Sequence, residues 1–596
     1  MNSPKTVYLC CLLIVLSVSG CSKTKGESPS SKGNNNGNDN GDSEEYVASR
    51  SRIAWDRSSR TAIFPTGNYA RMIELSNGTY VAVAGGGKGT QVTRSTDQGA
   101  TWSTPVVAAP TVNGIAMAVP EIMECNDGSL LLTYNPRPAD GNTDQSKKYG
   151  IRARKSNDKG VTWSDEIFVY DAGYTNNIGC WEPATVQLPS GEIQLFFSNE
   201  MDYPTTNEQN ISMCRSNDGG LSWSSPRIVS FRAGGRDGMP VPLYLPETDE
   251  IIVSIEDNGY VGFMGRMRPM IVRSTVSRDW NPYVDATSSY REYALTEQLN
   301  KVDNAAAPYI RKAPSGEILL SYQGTEGRDV PIVNGVKTTD FSQEMFVAVG
   351  DKTGRDFTNR TAPFALPLGP GGVWPADNTG YQGMWNSLSV TSDGTIWAIT
   401  STNAFTYPQN QVAAVKGYLL NDFNVPFKTV SLDGNSGDWD QTERAPIFIG
   451  RTTVANVSAR LASDAKWVYL LARVADALYV DPTEALPENG DGVELAFGGG
   501  TAPVKAWLGV DGTCRTYDNG AWTQNAGAVT SAVAGTPGGY VIECAISKSY
   551  LASKGVPSKF VPVNLTLYDH NGSAVENESV ANTSDDSKTW LRAMKF

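Results

Sequence analysis

Five carboxylates are the residues of this chain best suited to chemistry: Glu121, Glu182, Glu200, Asp237 and Glu256. Polar and aromatic companions recur near them in the sequence pattern, namely Arg71, Arg236, Tyr322, Trp385 and Asn386. Two carboxyls flanking a scissile bond perform glycoside hydrolysis, and a gap of about 5–5.5 Å implies retention where a longer one implies inversion. The 596-residue chain has one histidine, His570. No Ser-His-Asp triad, Cys-His pair or multi-histidine metal site can therefore be built upstream of it. The chemistry so implied needs no metal and no cofactor, and proton transfer falls to carboxyls.

Composition narrows the partners. The net charge is −13, which disfavours a phosphate backbone and speaks against nucleic acid. At 40% hydrophobic and 19% charged the chain is globular, not disordered. Its 14 Trp and 25 Tyr suit stacking on sugar faces, although most of them are expected in β cores.

The elements that must position the carboxylates announce themselves as a repeat. Ser95-Thr-Asp97-Gln-Gly99-Ala-Thr101-Trp102 returns as Ser156–Trp163 and as Ser216–Trp223, with Asp158 and Asp218 stepping by 61 and 60 residues. Degraded copies follow at Ser274–Trp280 and Asp351–Phe357. The chemistry reads as a tight hairpin: Asp caps amides, Gly takes positive φ and Trp packs beneath. A second series of turns lies at 75–78, 125–128, 188–191, 245–249, 313–316 and 391–394, each flanked by β-rich runs. Six repeats of this length predict an all-β fold, a six-bladed β-propeller over residues 46–427. The first strand of each blade then lines the channel and the second returns to the same mouth. Arg71, Glu121, Glu182, Arg236-Asp237, Asn304 and Trp385-Asn386 come before the turns. Asn135, Asn199-Glu200, Glu256-Asp257, Tyr322-Gln323 and Ser401 come after them.

The eight-residue pattern resembles the Asp-box, or BNR repeat, of the sialidase superfamily. Within it, Trp181-Glu182-Pro183, the stretch ending at Glu200, Arg236-Asp237-Gly238-Met239-Pro240 and Ile255-Glu256 resemble glycoside hydrolase family 93, the exo-α-1,5-L-arabinanases. The resemblance implies a retaining mechanism with Glu182 as nucleophile and Glu256 as general acid/base. Glu200, Arg236 and Asp237 would bind sugar hydroxyls or tune that pair. Arg71, Glu121, Tyr322, Trp385 and Asn386 complete the expected substrate-binding set. Two alternatives stand beside this reading. One is an exo-α-sialidase, for which Arg71-Met72-Ile73 lacks the Pro of the usual Arg-Ile-Pro signature and Tyr322 or Tyr381 would supply a nucleophile. The other is a propeller that binds glycan without turnover.

The two ends carry separate readings. Residues 1–20 form a signal peptide with an apolar run from Val7 to Val18, and Val18-Ser19-Gly20-Cys21 resembles a bacterial lipobox. Cys21 is the expected lipidation site, residues 21–45 a Gly/Asn/Ser tether, and the cell envelope the expected location, with the membrane reached through the lipid. Residues 428–596 read as a C-terminal β-sandwich. Leu432-Asp433-Gly434, Asp438-Trp439, Arg473–Asp476 and Asp491–Glu494 resemble the family 9 carbohydrate-binding module and DOMON-like sandwiches. Trp467, Trp507, Trp522 and Trp590 are its candidate sugar platforms, and Cys514 with Cys544 its candidate disulfide.

Overall fold

In a computed structural model of the chain, each Asp-box closes on itself through one set of bonds. Asp158 Oδ1 accepts from the Thr162 amide and the Ser156 hydroxyl, both at 2.8 Å, and Ser156 Oγ accepts from the Gly160 amide at 2.8 Å. The boxes at Ser95–Trp102 and Ser216–Trp223 repeat these bonds. Gly99, Gly160 and Gly220 take φ of 80–90°, which a Cβ would oppose. The hydroxyls of Thr101, Thr162 and Ser222, followed by the backbone amides, hold the three Asp carboxyls down at about 2. The degraded copies keep part of the pattern. Trp280 is buried with its amide on Ser274 Oγ (3.0 Å), and Asp351 still caps the amides of Thr353 and Arg355.

The structure describes residues 51–596 apart from 261–264, 334, 338–342, 370–372, 374–379, 441, 443, 451–454, 483–488, 500–501, 519, 572–574 and 582–586. The leader, Cys21 and the tether expected at 1–45 lie outside the described residues.

Six four-stranded antiparallel sheets follow one another along the chain. Their innermost strands are Asn68–Glu74, Ala116–Glu124, Cys180–Gln187, Asp237–Leu245, Ala305–Lys312 and Gly383–Val390, which begin blades 1 to 6. Each inner strand neighbours the next, and Gly383–Val390 returns to Asn68–Glu74, so the sheets close into a ring. The predicted turns join first to second strands, as at Leu75, whose amide bonds to Thr79 O (2.8 Å). Asp-boxes join third to fourth strands, at the end of each blade where the first strand finishes. Not legible in the repeat was the closure: the outer strand of blade 6 is Arg52–Phe64, paired antiparallel with Gln411–Leu420.

Beyond the ring, two antiparallel sheets form the sandwich. One has five strands, centred on Trp467–Ala475 and Gly539–Ser547; the other has seven, centred on Gly492–Phe497 and Lys559–His570. Val468, Leu470, Val493, Leu495, Ile542 and Leu565 fill the core between them. Trp507 and Trp590 are fully buried and are not surface platforms. The expected disulfide is not formed: Cys514 and Cys544 are free thiols, as are Cys125, Cys180 and Cys214. The sandwich abuts the ring through paired backbone bonds of Phe423 with Arg592 and Met594, each 2.9 Å, and through the Arg592–Asp422 ion pair (2.8 Å).

Candidate active site

A bulge near the start of every inner strand builds the mouth. The bulged pairs are Tyr69-Ala70, Val119-Pro120, Glu182-Pro183, Met239-Pro240, Ala307-Pro308 and Trp385-Asn386. The first residue of each pair sits at φ between 50 and 55°, unfavourable for a side chain by about 1–3 kcal/mol. Proline fits the second position because a bulged residue needs no ladder donor. Between blades the strained residue is braced by its amide. Met239 N–H donates to Ser198 Oγ (3.0 Å), Ala307 N–H to Glu256 Oε2 (2.7 Å), Trp385 N–H to Gln323 Oε1 (2.6 Å) and Tyr69 N–H to Ser401 Oγ (3.0 Å). Each acceptor stands on the second strand of the preceding blade, opposite its own inner strand.

Two carboxylates break this six-fold regularity. Glu182 is the bulged residue of blade 3, the one acid at that position. Glu256 is the brace of blade 4, where blades 3, 5 and 6 use Ser198, Gln323 and Ser401. Both are half-buried. Glu182 Oε1 lies 3.3 Å from Arg137 Nη2, and its Oε2 accepts from Ser198 Oγ at 3.3 Å. Burial raises Glu182; Arg137 and Ser198 oppose that rise and Glu200 adds to it. Arg137 also lies over the Trp181 ring, 4.8 Å from its centroid. Among the described residues, Glu256 has no cation in hydrogen-bonding contact. Burial pushes it up to about 7, the Ala307 amide and Arg236 oppose this, and the charge of Glu182 adds to it. The two carboxyls thus feel each other, and only one is salt-bridged.

Below the mouth a second cluster spans the ring. Arg71, Glu121 and Tyr309 occupy the position after the bulge in blades 1, 2 and 5. Glu121 takes Arg71 Nε at 3.1 Å, the Tyr309 hydroxyl at 3.1 Å and Arg311 Nη2 at 3.4 Å. Arg71 also lies over the Tyr69 ring at 4.1 Å. All of Arg71, Glu121 and Tyr309 are buried. Arg71 and Glu121 therefore pair with each other within the channel.

The rim of blades 3 and 4 holds Glu200 against Arg236, whose guanidinium also bonds Gln209 Oε1 (2.6 Å) and Asn207 Oδ1 (2.8 Å). Two expected binding residues are elsewhere. Asp237 is wholly buried, bonded to Ser230 and Arg291, and its partner in that cluster is Asp257, which takes Arg291 and Arg232 at 2.8 Å. Strand alternation turns it away from its neighbour Arg236. Tyr322 is likewise wholly buried, stacked on Phe346 with its hydroxyl on Glu326 (2.8 Å), so its neighbour Gln323 faces the bulge instead. Asn386 is buried and accepts from Thr400 Oγ1 (2.7 Å), whereas Trp385 stays half-buried at the mouth. Arg137, Ser198 and Tyr309 were missed. An x-Pro pair at 119–120, 182–183, 239–240 and 307–308 would have placed Tyr309 in the series with Arg71 and Glu121.

The fold and mouth thus define a closed six-bladed propeller with a half-buried acid pair at one end of its channel. No protein-family model matches the chain, and no curated protein matches it. Among solved structures it is similar to a Dyadobacter fermentans protein of unknown function, at 13% identity and a TM-score of 0.44, over 63% of this chain and 99% of that one. It is similar to the GH93 α-L-arabinofuranosidase of Fusarium graminearum in complex with arabinobiose, at 18% identity and 0.43, over 62% and 98%. A Penicillium chrysogenum α-L-arabinanase complexed with arabinobiose gives 19% identity and 0.42, over 62% and 98%.

Proposed function

We propose that this chain is an exo-acting glycoside hydrolase that trims terminal sugars from a polysaccharide, α-1,5-L-arabinan first among them, by a retaining two-glutamate mechanism. One observation carries the reading: of two interacting carboxyls at the mouth, Glu182 has a guanidinium partner and Glu256, pushed up to about 7, has none among the described residues. Glu256 in its acid form protonates the leaving oxygen as the glycosidic bond breaks. Glu182, held by Arg137 and Ser198, attacks the anomeric carbon and forms a glycosyl ester. Glu256, now a base, takes a proton from water, whose oxygen displaces Glu182 and restores both carboxyls. Glu200 and Arg236 tune the pair from the rim. The test is release of arabinose or short arabino-oligosaccharides from linear arabinan by the wild type and its loss in Glu256→Gln and Glu182→Gln. No turnover with glycan retained would instead support a binding protein.

A second reading, an exo-α-sialidase, is favoured by one contact, the Tyr309 hydroxyl on Glu121 between Arg71 and Arg311. Burial raises Tyr309 far above its usual value, which keeps it a phenol. Turnover of a sialyl reporter that needs Tyr309 would decide for it. We further propose lipidation at Cys21 in the cell envelope; labelling with a fatty-acid analogue that Cys21→Ala abolishes tests this.

A further inference from the structure

Each brace at the mouth pairs, across its own hairpin, with the residue just before the bulge. Trp181 lies opposite Ser198, Gly238 opposite Glu256, Ala306 opposite Gln323 and Met384 opposite Ser401. These pairs are complementary in size. The short serines face Trp and Met, and the long Gln and Glu face Ala and Gly. Gly238 ends the series, yet its backbone does not call for glycine, because its φ lies outside the left-handed region. Space is what excludes a side chain there. A Cβ on Gly238 would lie 3.0 Å from Glu256 Oε1, 3.1 Å from Glu256 Cγ and 2.9 Å from Gln209 Nε2.

The two oxygens of Glu256 therefore have different surroundings. Oε2 accepts the Ala307 amide at 2.7 Å. Oε1 lies against Gly238 and accepts no hydrogen bond among the described residues. In the acid form of a carboxyl, the oxygen that accepts an N–H is the carbonyl oxygen, so the acid proton sits on the other one. That oxygen is Oε1. Gln209, the other neighbour of the missing Cβ, is held at both ends of its amide. Its Oε1 accepts from Arg236 Nη2 at 2.6 Å, and its Nε2 donates to Asp237 O at 2.8 Å. Glu256 Oε1 is thus the freer of the two groups that a side chain at 238 would push.

We propose that Gly238 is a positioning residue for the acid/base. Its missing side chain makes the room in which Glu256 Oε1, the oxygen that carries the proton, is held at the mouth, while Oε2 goes on bracing blade 5. One carboxyl so serves the fold with one oxygen and the chemistry with the other. The inference rests on the glutamate pair proposed above and adds the residue that aims it.

The test is Gly238→Ala in the full chain. The variant should fold and melt near the wild type, because Ala306 already faces a brace of the same length, Gln323, in blade 5. Its kcat/KM on linear arabinan should fall by about 10–10²-fold, the cost of a misplaced proton donor. On dinitrophenyl α-L-arabinofuranoside, whose leaving group needs no protonation, kcat/KM should stay within about threefold of wild type. Equal losses on both substrates would overturn the proposal, since a structural defect does not distinguish leaving groups. Gln209→Ala separates the two neighbours. Adding Gly238→Ala to it should cost the same factor again, and a cost that vanishes in this background would assign the effect to Gln209 and overturn the proposal. A crystal structure of Gly238→Ala reads the positioning without turnover. Glu256 Oε1 is expected to swing off the strand with Oε2 still on the Ala307 amide, and an unmoved carboxyl would overturn the proposal. No turnover of either substrate by the wild type would count against the glutamate pair itself, and the displacement of Oε1 would still decide what Gly238 holds.

Discussion

Glu256 Oε2 accepts the backbone amide of Ala307 at 2.7 Å and so ties the second strand of blade 4 to the strained bulge of blade 5. Gln323 does the same service for Trp385 one blade further on, at 2.6 Å. The protein thus contains its own precedent for glutamine at this position. Glu256→Gln is expected to keep the fold and its melting temperature while lowering kcat on arabinan by about 10²–10⁴-fold. Glu256→Ala should lose activity and also about 1–3 kcal/mol of stability, because a buried amide is left unpaired. Kinetics with denaturant melts on both variants check this.

The same residue sets a pH dependence. Glu256 must be protonated to act first as an acid, and its value lies at about 7 in the fold. Activity should therefore fall as pH rises through about 7. Stability moves in the same direction: a carboxyl raised above its ordinary 4.5 binds its proton more tightly in the folded state. Folding free energy is lost as pH climbs from about 4.5 to about 7, up to about 3 kcal/mol for this group. Glu256→Gln should flatten that part of the stability profile.

Arg137 is expected to act through Glu182. Removing the guanidinium at 3.3 Å leaves a carboxyl that burial already raises. Arg137→Ala should shift the acidic limb of the kcat/KM profile upward in pH and lower the rate by about tenfold or more, with Arg137→Lys intermediate. An unshifted limb would count against Glu182 as the nucleophile.

Tyr309→Phe separates the two enzymatic readings. It removes one of three contacts to Glu121, for a stability change of about 1 kcal/mol. With the acid pair of blades 3 and 4 doing the work, arabinan turnover should stay within about threefold of wild type. Total loss of activity would move the chemistry to the Tyr309–Glu121 pair.

Asp158→Ala removes the acceptor of the Ser156, Val161 and Thr162 bonds at the opposite end of blade 2. We expect a lower melting temperature, by about 1–3 kcal/mol of stability, and unchanged KM. A change in KM at constant kcat would give the box a role at the mouth that its position does not support.

Much of this was legible because the repeat is written in residues with strong local preferences. Asp, Gly and Trp at fixed offsets make a hairpin wherever they occur, so blade number and strand direction followed from spacing, and with them the mouth that receives Glu182 and Glu256. What spacing could not supply was facing. Counting from the turns places 236–237 and 322–323 at the mouth as pairs, but alternation along a strand brings only Arg236 and Gln323 there and buries Asp237 and Tyr322. The cluster at Tyr309 and Arg311 depends on contacts across the ring, 188 residues from Tyr309 to Glu121, which the spacing of the turns does not give. The closing strand was invisible for the same reason.

That closing strand has a cost in time. Arg52 lies opposite Leu420, roughly 370 residues later in the chain. At ordinary rates of synthesis, Arg52–Phe64 waits about 20 to 75 seconds for its partner. During that interval it is an unpaired β edge, open to any other strand in reach. Its Arg52, Asp56, Arg57 and Arg60 put charge on that edge, which discourages pairing with strangers while the remaining blades are made.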